Sequence, residues 1–153
     1  MNLFIKASVV AVFAASAGCA SVPMQSGEDS SKAKEFSLPE EGYSGLYLYR
    51  PSSFGAALKK DIWVNGKCIG ETAPLMFFYE TVESGQEYKI STESEFSPNV
   101  IAINPESGKN YFIEQYITMG VFVGGARLKL VSEEKGKKEI SKLELAKAGS
   151  CSR

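Results

Sequence analysis

The residue types available for catalysis in this 153-residue chain are limited, because it contains no histidine. A Ser-His or Cys-His nucleophile, a histidine base and a histidine metal ligand are therefore excluded. Hydrolysis by carboxylates alone would need acids such as Asp61, Glu71 and Glu80 to converge across one bond. Scattered acids on solvent-facing positions are far commoner, and the chain has no phosphate-binding or nucleophile-elbow glycine motif. We therefore expect no catalysis, no cofactor and no metal site.

The cysteine with the clearest chemical context is Cys19. It follows Lys6, an apolar run over residues 7–15 and small residues at 16–18. These are the parts of an export signal, and the apolar run is shorter than a bilayer-spanning helix. Small residues directly before a cysteine resemble a bacterial lipobox, in which the chain is cleaved after Gly18 and the thiol of Cys19 is acylated. An ordinary signal peptide with a cysteine nearby by chance is the alternative.

Acylation of Cys19 would make the membrane the first partner of this protein. Each buried methylene contributes about 0.8 kcal/mol, so several acyl chains anchor a protein firmly. By the lipoprotein sorting pattern, a residue other than Asp after the cysteine, here Ala20, implies the outer membrane of a Gram-negative cell, facing the periplasm. With 17 Lys and Arg against 18 Asp and Glu, the chain lacks the basic excess of a nucleic-acid binder. An envelope protein or polymer is the expected further partner.

Cys68 and Cys151 are the two cysteines that remain. An even pair in an oxidising compartment suits a disulfide, which would close a long loop. The chain-entropy model gives such a bridge up to about 4 kcal/mol of stabilisation. Two separate thiols, with Cys151 on a frayed tail, are the alternative. Two cysteines without histidine cannot supply the four ligands of a structural zinc site.

Composition divides the chain into four parts. Residues 19–42 are rich in Ser, Glu, Lys and Gly, which predicts a flexible tether with a reach on the order of 25 Å. Phe36 and Leu38 are the residues that would dock the end of this tether onto the domain. A short helix is expected over 138–147, because its apolar residues share one side and Gly149 follows. The expected parts are a signal peptide at 1–18, the acylated cysteine and tether at 19–42, a β domain at 43–132, and a C-terminal helix and basic tail at 133–153.

Residues 43–132 show apolar alternation with a period of two, which is typical of strands. Leucine alternates with tyrosine over residues 46–49, for example. Asn65-Gly66 stands between two such runs and is a strong signal for a two-residue hairpin turn. Seven or eight short strands predict an all-β fold, an antiparallel β-sandwich or small barrel, in addition to a signal helix and a C-terminal helix.

Arg50 and Tyr49 are two candidate binding residues on the first strand. Arg50 alternates onto the leucine face, where a charge generally needs a partner. We expect it to pair with Glu71 or Glu80, and contact with a ligand is the alternative. Tyr49 points to the other face, where aromatic residues form either an outward groove or, more commonly, the second half of the core.

Phe122 is the third candidate binding residue, in the apolar, glycine-flanked segment Met119–Gly125. The pattern favours a hairpin or strand extension that buries Phe122 and Val123. An exposed binding tip is the alternative, because a protruding apolar loop often marks a contact surface.

Three sequence elements occur in an order that resembles a known family. They are the strand Tyr47-Leu48-Tyr49-Arg50, the hairpin Ile62–Gly70 and the turn Val82–Ile90. Over about Tyr43 to Val131 they resemble a bacterial domain-of-unknown-function (DUF) lipoprotein family with a Y-x-Y-R strand and a V-(D/N)-G-K-x-I-G hairpin, and the hairpin and turn are similar to PEGA-type β modules. The resemblance implies a β-rich, exported, lipid-anchored domain without established activity. Gln86-Glu87 stands where members often carry histidine, so no role of that histidine is transferred.

These features together predict a lipid-anchored periplasmic binding or structural module of the bacterial cell envelope. The alternative is a small lipoprotein inhibitor of an envelope-degrading enzyme. An inhibitor needs a rigid protruding loop with a polar or charged tip, and residues 51–60 are the fair candidate for that loop. The basic tail over 127–153 would contact anionic lipid or polymer, or simply be solvated.

Overall fold

A computed structural model describes residues 18–152, so the signal helix expected at the N-terminus lies outside the described residues. Neither helix within this range is long and apolar enough to cross a membrane. Eight of the nine strands in this range fall between residues 43 and 131. In chain order the elements are α1 (Gly27–Ala33), β1 (Tyr43–Arg50), β2 (Lys60–Val64), β3 (Lys67–Thr72), β4 (Met76–Glu83), β5 (Tyr88–Thr92), β6 (Asn99–Ile103), β7 (Asn110–Thr118), β8 (Gly125–Val131), α2 (Glu133–Ile140) and β9 (Glu144–Leu145).

The strands form two sheets, and no closed barrel occurs in the described range. The larger sheet has the order β8-β7-β1-β4-β9 and the smaller one β3-β2-β5-β6. All pairs in the smaller sheet are antiparallel, whereas β1–β7 and β4–β9 in the larger sheet are parallel. The mostly-β, two-sheet fold was therefore expected correctly, but a purely antiparallel arrangement was wrong. The chain passes through β5 and β6 before β7 returns beside β1, and an alternating pattern does not encode the direction of that return.

The leucines and tyrosines of β1 enter two different cores. Leu46 and Leu48 are fully buried between the sheets, in a cluster that includes Ile62 and Ile90 of the smaller sheet. The tyrosines enter a second cluster, on the outer face of the larger sheet, which Ala33 and Ile140 of the two helices cover. Complete burial of a large apolar side chain contributes about 1.5–3 kcal/mol, so both faces of β1 stabilise the fold.

The segment expected to be a flexible tether is folded against the domain, so that prediction was wrong for its structure. Ser26 accepts a hydrogen bond from the Asp29 N–H and caps α1, and the acidic residues of the first turn suit the helix dipole. The Phe36 ring packs 5.4 Å from that of Tyr47, measured between centroids, whereas Leu38 remains exposed. A polar composition thus concealed a capped helix that docks through buried Ser30, which donates to the Glu144 carboxylate at 2.8 Å and accepts from the Leu145 N–H at 3.1 Å.

The C-terminal helix begins earlier than expected. It spans Glu133–Ile140, and part of the 138–147 segment instead forms the short strand β9. Ser132 caps this helix by accepting from the Lys135 N–H, at 3.3 Å. Gly136 permits close packing, because a Cβ atom there would lie 2.3 Å from the ring of Phe112. The helix therefore packs against the face of the larger sheet that carries the tyrosines of β1.

The C-terminal tail is fixed along the edge strand β3. A disulfide joins Cys68 to Cys151, whose Cα atoms are 5.9 Å apart. The Gly149 N–H donates to the Ile69 carbonyl at 2.9 Å, and Ser152 donates to the carboxylate of buried Asp61. The tail satisfies backbone groups that an edge strand would otherwise expose.

Candidate functional site

The topology brings three loops to one end of the molecule, which we call the loop end. Because β1 and β7 are parallel neighbours, the segments that follow them, 51–59 and 119–124, leave the sheet in the same direction. The segment after β5 reaches the same place, since the Glu93 carbonyl accepts from the N–H of Ala126, near the start of β8, at 3.2 Å. The opposite end of the strands carries the Asn65-Gly66 hairpin.

Arg50 organises the first of these loops from inside the protein. Its guanidinium is fully buried and donates to the carbonyls of Leu58 at 2.7 Å, Gly55 at 2.7 Å and Phe54 at 3.2 Å. Its Nε atom has no partner among the described residues. Burial lowers the pKa of Arg50 from its usual value, but arginine remains charged in proteins.

The expected pairing of Arg50 with Glu71 or Glu80 was wrong, because both acids pair with lysines. Glu71 pairs with Lys59 at 3.4 Å, and Glu80 pairs with Lys67 at 3.5 Å. A guanidinium has five N–H donors in a rigid fork, so several carbonyl oxygens can satisfy it where a carboxylate would otherwise be needed. Arg50 is consequently a structural centre for the 51–58 loop and lies too deep to contact a ligand.

Residues 119–123 of the segment Met119–Gly125 are exposed, which contradicts the expectation of a buried hairpin. The side chain of Met119 is 85% exposed, that of Phe122 84% and that of Val121 75%. The segment forms the tip of the β7–β8 hairpin, and its apolar side chains point away from both cores. The structure therefore agrees with the alternative, an exposed apolar tip.

Glu95 fixes the backbone of this tip. Its carboxylate accepts from the N–H groups of Val121 at 2.7 Å, Phe122 at 2.5 Å and Val123 at 3.2 Å. Desolvation raises the pKa of Glu95, but the amides of Phe122, Val121 and Val123 together outweigh it and lower the pKa below 4.5. Because the three amides turn inward to one carboxylate, the side chains they belong to turn outward.

Two glycines let the two loops close tightly. A Cβ atom on Gly120 would lie 1.7 Å from the Val123 carbonyl oxygen. A Cβ atom on Gly124 would lie 2.6 Å from Cδ1 of Leu58, which belongs to the neighbouring loop. Close approach of the backbone therefore requires glycine at position 120, whereas a methyl group at position 124 would displace only the end of the Leu58 side chain.

The two loops together present an apolar surface, which we call the loop-end patch. An open groove of about 330 Å³ lies between them, and every residue that lines it is uncharged. The large exposed side chains that form the patch are Phe54, Met119, Val121, Phe122 and Val123. Exposed apolar side chains gathered in this way mark a contact surface more often than scattered ones do.

Cys19 lies close to the same end of the molecule. It is exposed, and the next residue, Ala20, donates its N–H to the carbonyl of Ala56 at 2.8 Å. Ala56 lies in the Arg50-organised loop, two residues after Phe54. The residue predicted to carry the lipid is thus next to the loop-end patch.

The other predicted site residues are separated from this patch. Tyr49 is fully buried, and its hydroxyl donates to Glu139 of α2 at 2.5 Å. Burial and then this hydrogen bond raise the pKa of Tyr49, which attaches the helix to the sheet and forms no surface. The acids considered for hydrolysis each have separate partners, and no metal-binding group of His, Cys, Asp or Glu occurs within 18–152.

Fold and site together define a mostly-β, two-sheet protein with an exposed apolar loop end. The chain belongs to the family described as "Protein of unknown function (DUF2846)", whose model matches residues 40–126. It is similar to an uncharacterised protein of Haemophilus influenzae, with 58% identity over 145 residues, which is 95% of this chain and 86% of that relative. No solved structure matches the chain. The matched range includes Arg50, Glu95 and nearly all of the loop end.

Proposed function

We propose that this protein is a lipid-anchored module of the bacterial cell envelope, on the outer membrane and facing the periplasm. It acts by binding an envelope component with the loop-end patch and not by catalysis. The observation that carries this proposal is the proximity of Cys19 to that patch through the Ala20–Ala56 hydrogen bond, 2.8 Å long. A lipid on Cys19 would then project from the same end of the molecule as the exposed apolar side chains of the patch.

The short connection to the anchor supports a module that works at the membrane surface. One residue spans at most about 3.6 Å, and only Cys19 separates the lipid from the hydrogen-bonded Ala20. A flexible tether would have let the domain reach on the order of 25 Å from its anchor. With its anchor so close to the fold, the domain stays near the bilayer and meets partners there.

The chemistry of the exposed loops favours an apolar partner over the cleft of an enzyme. Residues 51–58 contain no charged residue, and Phe54 is their largest exposed side chain. The inhibitor alternative required a polar or charged tip on residues 51–60, but the two charges of that segment, Lys59 and Lys60, lie at its end and pair with Glu71 and Glu93. The binding-module proposal requires an exposed apolar surface, and the patch supplies one.

Labelling with radioactive palmitate in a lipoprotein-processing host tests the anchor. We expect the wild-type protein to incorporate label and the Cys19→Ser variant to incorporate none, since the thiol is the acylated group. The matched control is the double variant Cys68→Ser/Cys151→Ser, which lacks the disulfide but keeps Cys19 and should be labelled normally. A labelled Cys19→Ser protein, or an unlabelled wild type that is processed normally in the presence of globomycin, would reject the proposal.

A further inference from the structure

We infer that the loop-end patch inserts into the same bilayer that holds the acyl chains of Cys19. The protein then has two membrane contacts, the lipid anchor and the paired loop tips. This inference rests on the proposed anchor and names the lipid bilayer as the component that the patch binds. Three observations support it: the position of the patch beside Cys19, the lack of charge in the patch, and the hydrogen bonds that the N–H groups of the tip make to Glu95.

The position of the anchor restricts what the patch can face. Ala20 is hydrogen-bonded to Ala56, and Phe54 is only two residues away in the same loop. An acyl group one residue before Ala20 therefore draws this loop to the bilayer surface. The tip at 119–124 packs against the same loop, since Gly124 approaches Leu58, and it is drawn to the surface as well.

The charge of the patch suits the interface of a bilayer. The groove between the loops is lined only by uncharged residues. The two charges that organise the loops have their partners inside them, because Arg50 donates to three carbonyls and Glu95 accepts from three amides. Interfacial segments insert to a depth of about 5–10 Å. At that depth Phe122 would lie among the acyl chains, and Glu95 would stay on the protein side of the tip backbone.

The backbone of the tip meets the main requirement for contact with lipid. An N–H group that enters the bilayer without a partner costs several kcal/mol. The N–H groups of Val121, Phe122 and Val123 all donate to Glu95. Three consecutive exposed residues of the tip therefore have their amides satisfied inside the protein before they meet any other surface.

The opposite end of the sheets has a different character. Strand β1 rises about 3.3 Å per residue over its eight residues, so the two ends are roughly 25 Å apart. The opposite end carries the exposed ion pair of Lys109 with Glu106 and the charged residues beside the Asn65-Gly66 hairpin. With the loop end in the membrane, this charged end faces the periplasm.

Quenching by lipids with brominated acyl chains tests the orientation. Acylated Phe122→Trp protein is reconstituted into phosphatidylethanolamine and phosphatidylglycerol vesicles made with and without bromine. The matched control is Leu38→Trp, because Leu38 is 71% exposed but lies near the start of β1, at the opposite end. Both variants retain Trp63, whose signal is common to the pair. We expect about twofold quenching for Phe122→Trp and no difference between the vesicles for Leu38→Trp, since only interfacial depth brings the indole to the acyl chains.

Flotation with the vesicles is measured on the same samples. It distinguishes a failure of the lipid anchor from a failure of the patch to insert. A protein that floats without quenching of Phe122→Trp, or with equal quenching of both variants, overturns the inserted patch and leaves the anchor intact. A protein that does not float overturns the proposed anchor and this inference with it. Absent quenching together with a specific protein adduct from a photo-crosslinker at position 122 assigns the patch to a protein partner and also overturns the inference.

Discussion

Two neighbouring loops at one end of this protein are organised by opposite charges. The guanidinium of Arg50 donates to carbonyl groups within residues 54–58, and the carboxylate of Glu95 accepts from the amide groups of residues 121–123. Both devices turn backbone polarity inward and apolar side chains outward. The charged residues thereby give rise to an uncharged surface.

The two devices differ in where the charge lies. Arg50 is part of the central strand β1 and is fully buried, so water cannot replace its partners. Glu95 lies in a loop and is only partly covered, so water can solvate it if the tip opens. The buried Arg50 links its loop to the stability of the fold, whereas the carboxylate of Glu95 mainly controls the local order of the tip.

Removal of the buried charge should have the largest effect. Arg50→Met keeps an apolar stem but leaves three part-buried carbonyls of the 51–58 loop without their charged donor, and we expect a loss of about 2–4 kcal/mol in the free energy of unfolding. Urea denaturation measures this loss. The control Arg127→Met changes an exposed arginine and should alter the free energy by less than about 0.5 kcal/mol. Equal effects of the two substitutions would contradict the role given to Arg50.

A methyl group at Gly120 should disturb the tip without loss of either charge. The Cβ atom would collide with the Val123 carbonyl, and overpacking of this kind costs about 1–3 kcal/mol. Gly120→Ala should therefore lower the thermal unfolding midpoint by less than Arg50→Met does. Gly27→Ala is the control, since nothing lies within 4 Å of the added carbon. If Gly120→Ala proves as harmless as Gly27→Ala, the close approach in the tip is wrong.

Neutralisation of Glu95 should change local order more than global stability. Glu95→Gln retains one acceptor oxygen in place of two, so at least one of the three amides loses its partner. We expect faster hydrogen exchange at Val121–Val123 and an unchanged denaturation midpoint. Glu134→Gln, which removes an exposed charge elsewhere, is the control. Unchanged exchange in the Glu95 variant would show that the carboxylate does not hold the tip.

The smallest expected effect is the pH response of the same group. The pKa of Glu95 is lowered in the folded tip relative to 4.5, so its stabilisation is fully present above 4.5 and is lost as the pH falls through the lower folded value. The amide proton shifts of Val121, Phe122 and Val123 should follow this single titration. Its midpoint should lie below 4.5, and the Glu95→Gln variant should show no such transition. A midpoint at or above 4.5 would reverse the sign of the interaction.

Local signals predicted the parts of the fold that depend on neighbours in sequence. Asn65 and Gly66 both have positive φ, 48° and 77°, and close the β2–β3 hairpin as the Asn-Gly pair suggests. The alternation of leucine and tyrosine in β1 correctly separated two sets of buried side chains. The parallel pairing of β1 with β7 could not be read in the same way, because strand direction depends on the path of the chain between them.

The helix boundaries were readable from the sequence but were missed. Ser26 and Ser132 each stand just before acidic residues, which is the pattern of a capped helix start. The polar composition of the first segment predicted a solvated tether, and the apolar spacing of the second predicted a helix that begins five residues too late. Caps carry more information here than average polarity does.

The organisation of the loop end could not be derived from local patterns. Arg50 suggested a carboxylate partner, because a buried charge usually has one, and carbonyl groups from a following loop satisfy it instead. No local pattern predicts the role of Glu95, since nothing near it in sequence indicates that its carboxylate accepts from three amides of residues 121–123. Both contacts join segments that only the completed topology brings together.

The fixed C-terminal tail also determines how the protein would bear mechanical load. A pull on Cys19 passes to the strip that follows it, where Gln25 donates to Leu145 at 2.9 Å and Lys147 donates to Pro23 at 2.9 Å. Beyond Gly149 that path reaches the covalent link between Cys151 and Cys68. Tension applied at Cys19 is therefore transmitted through the C-terminal tail to β3. The hydrogen bonds and the disulfide make the two terminal segments resist such a force together.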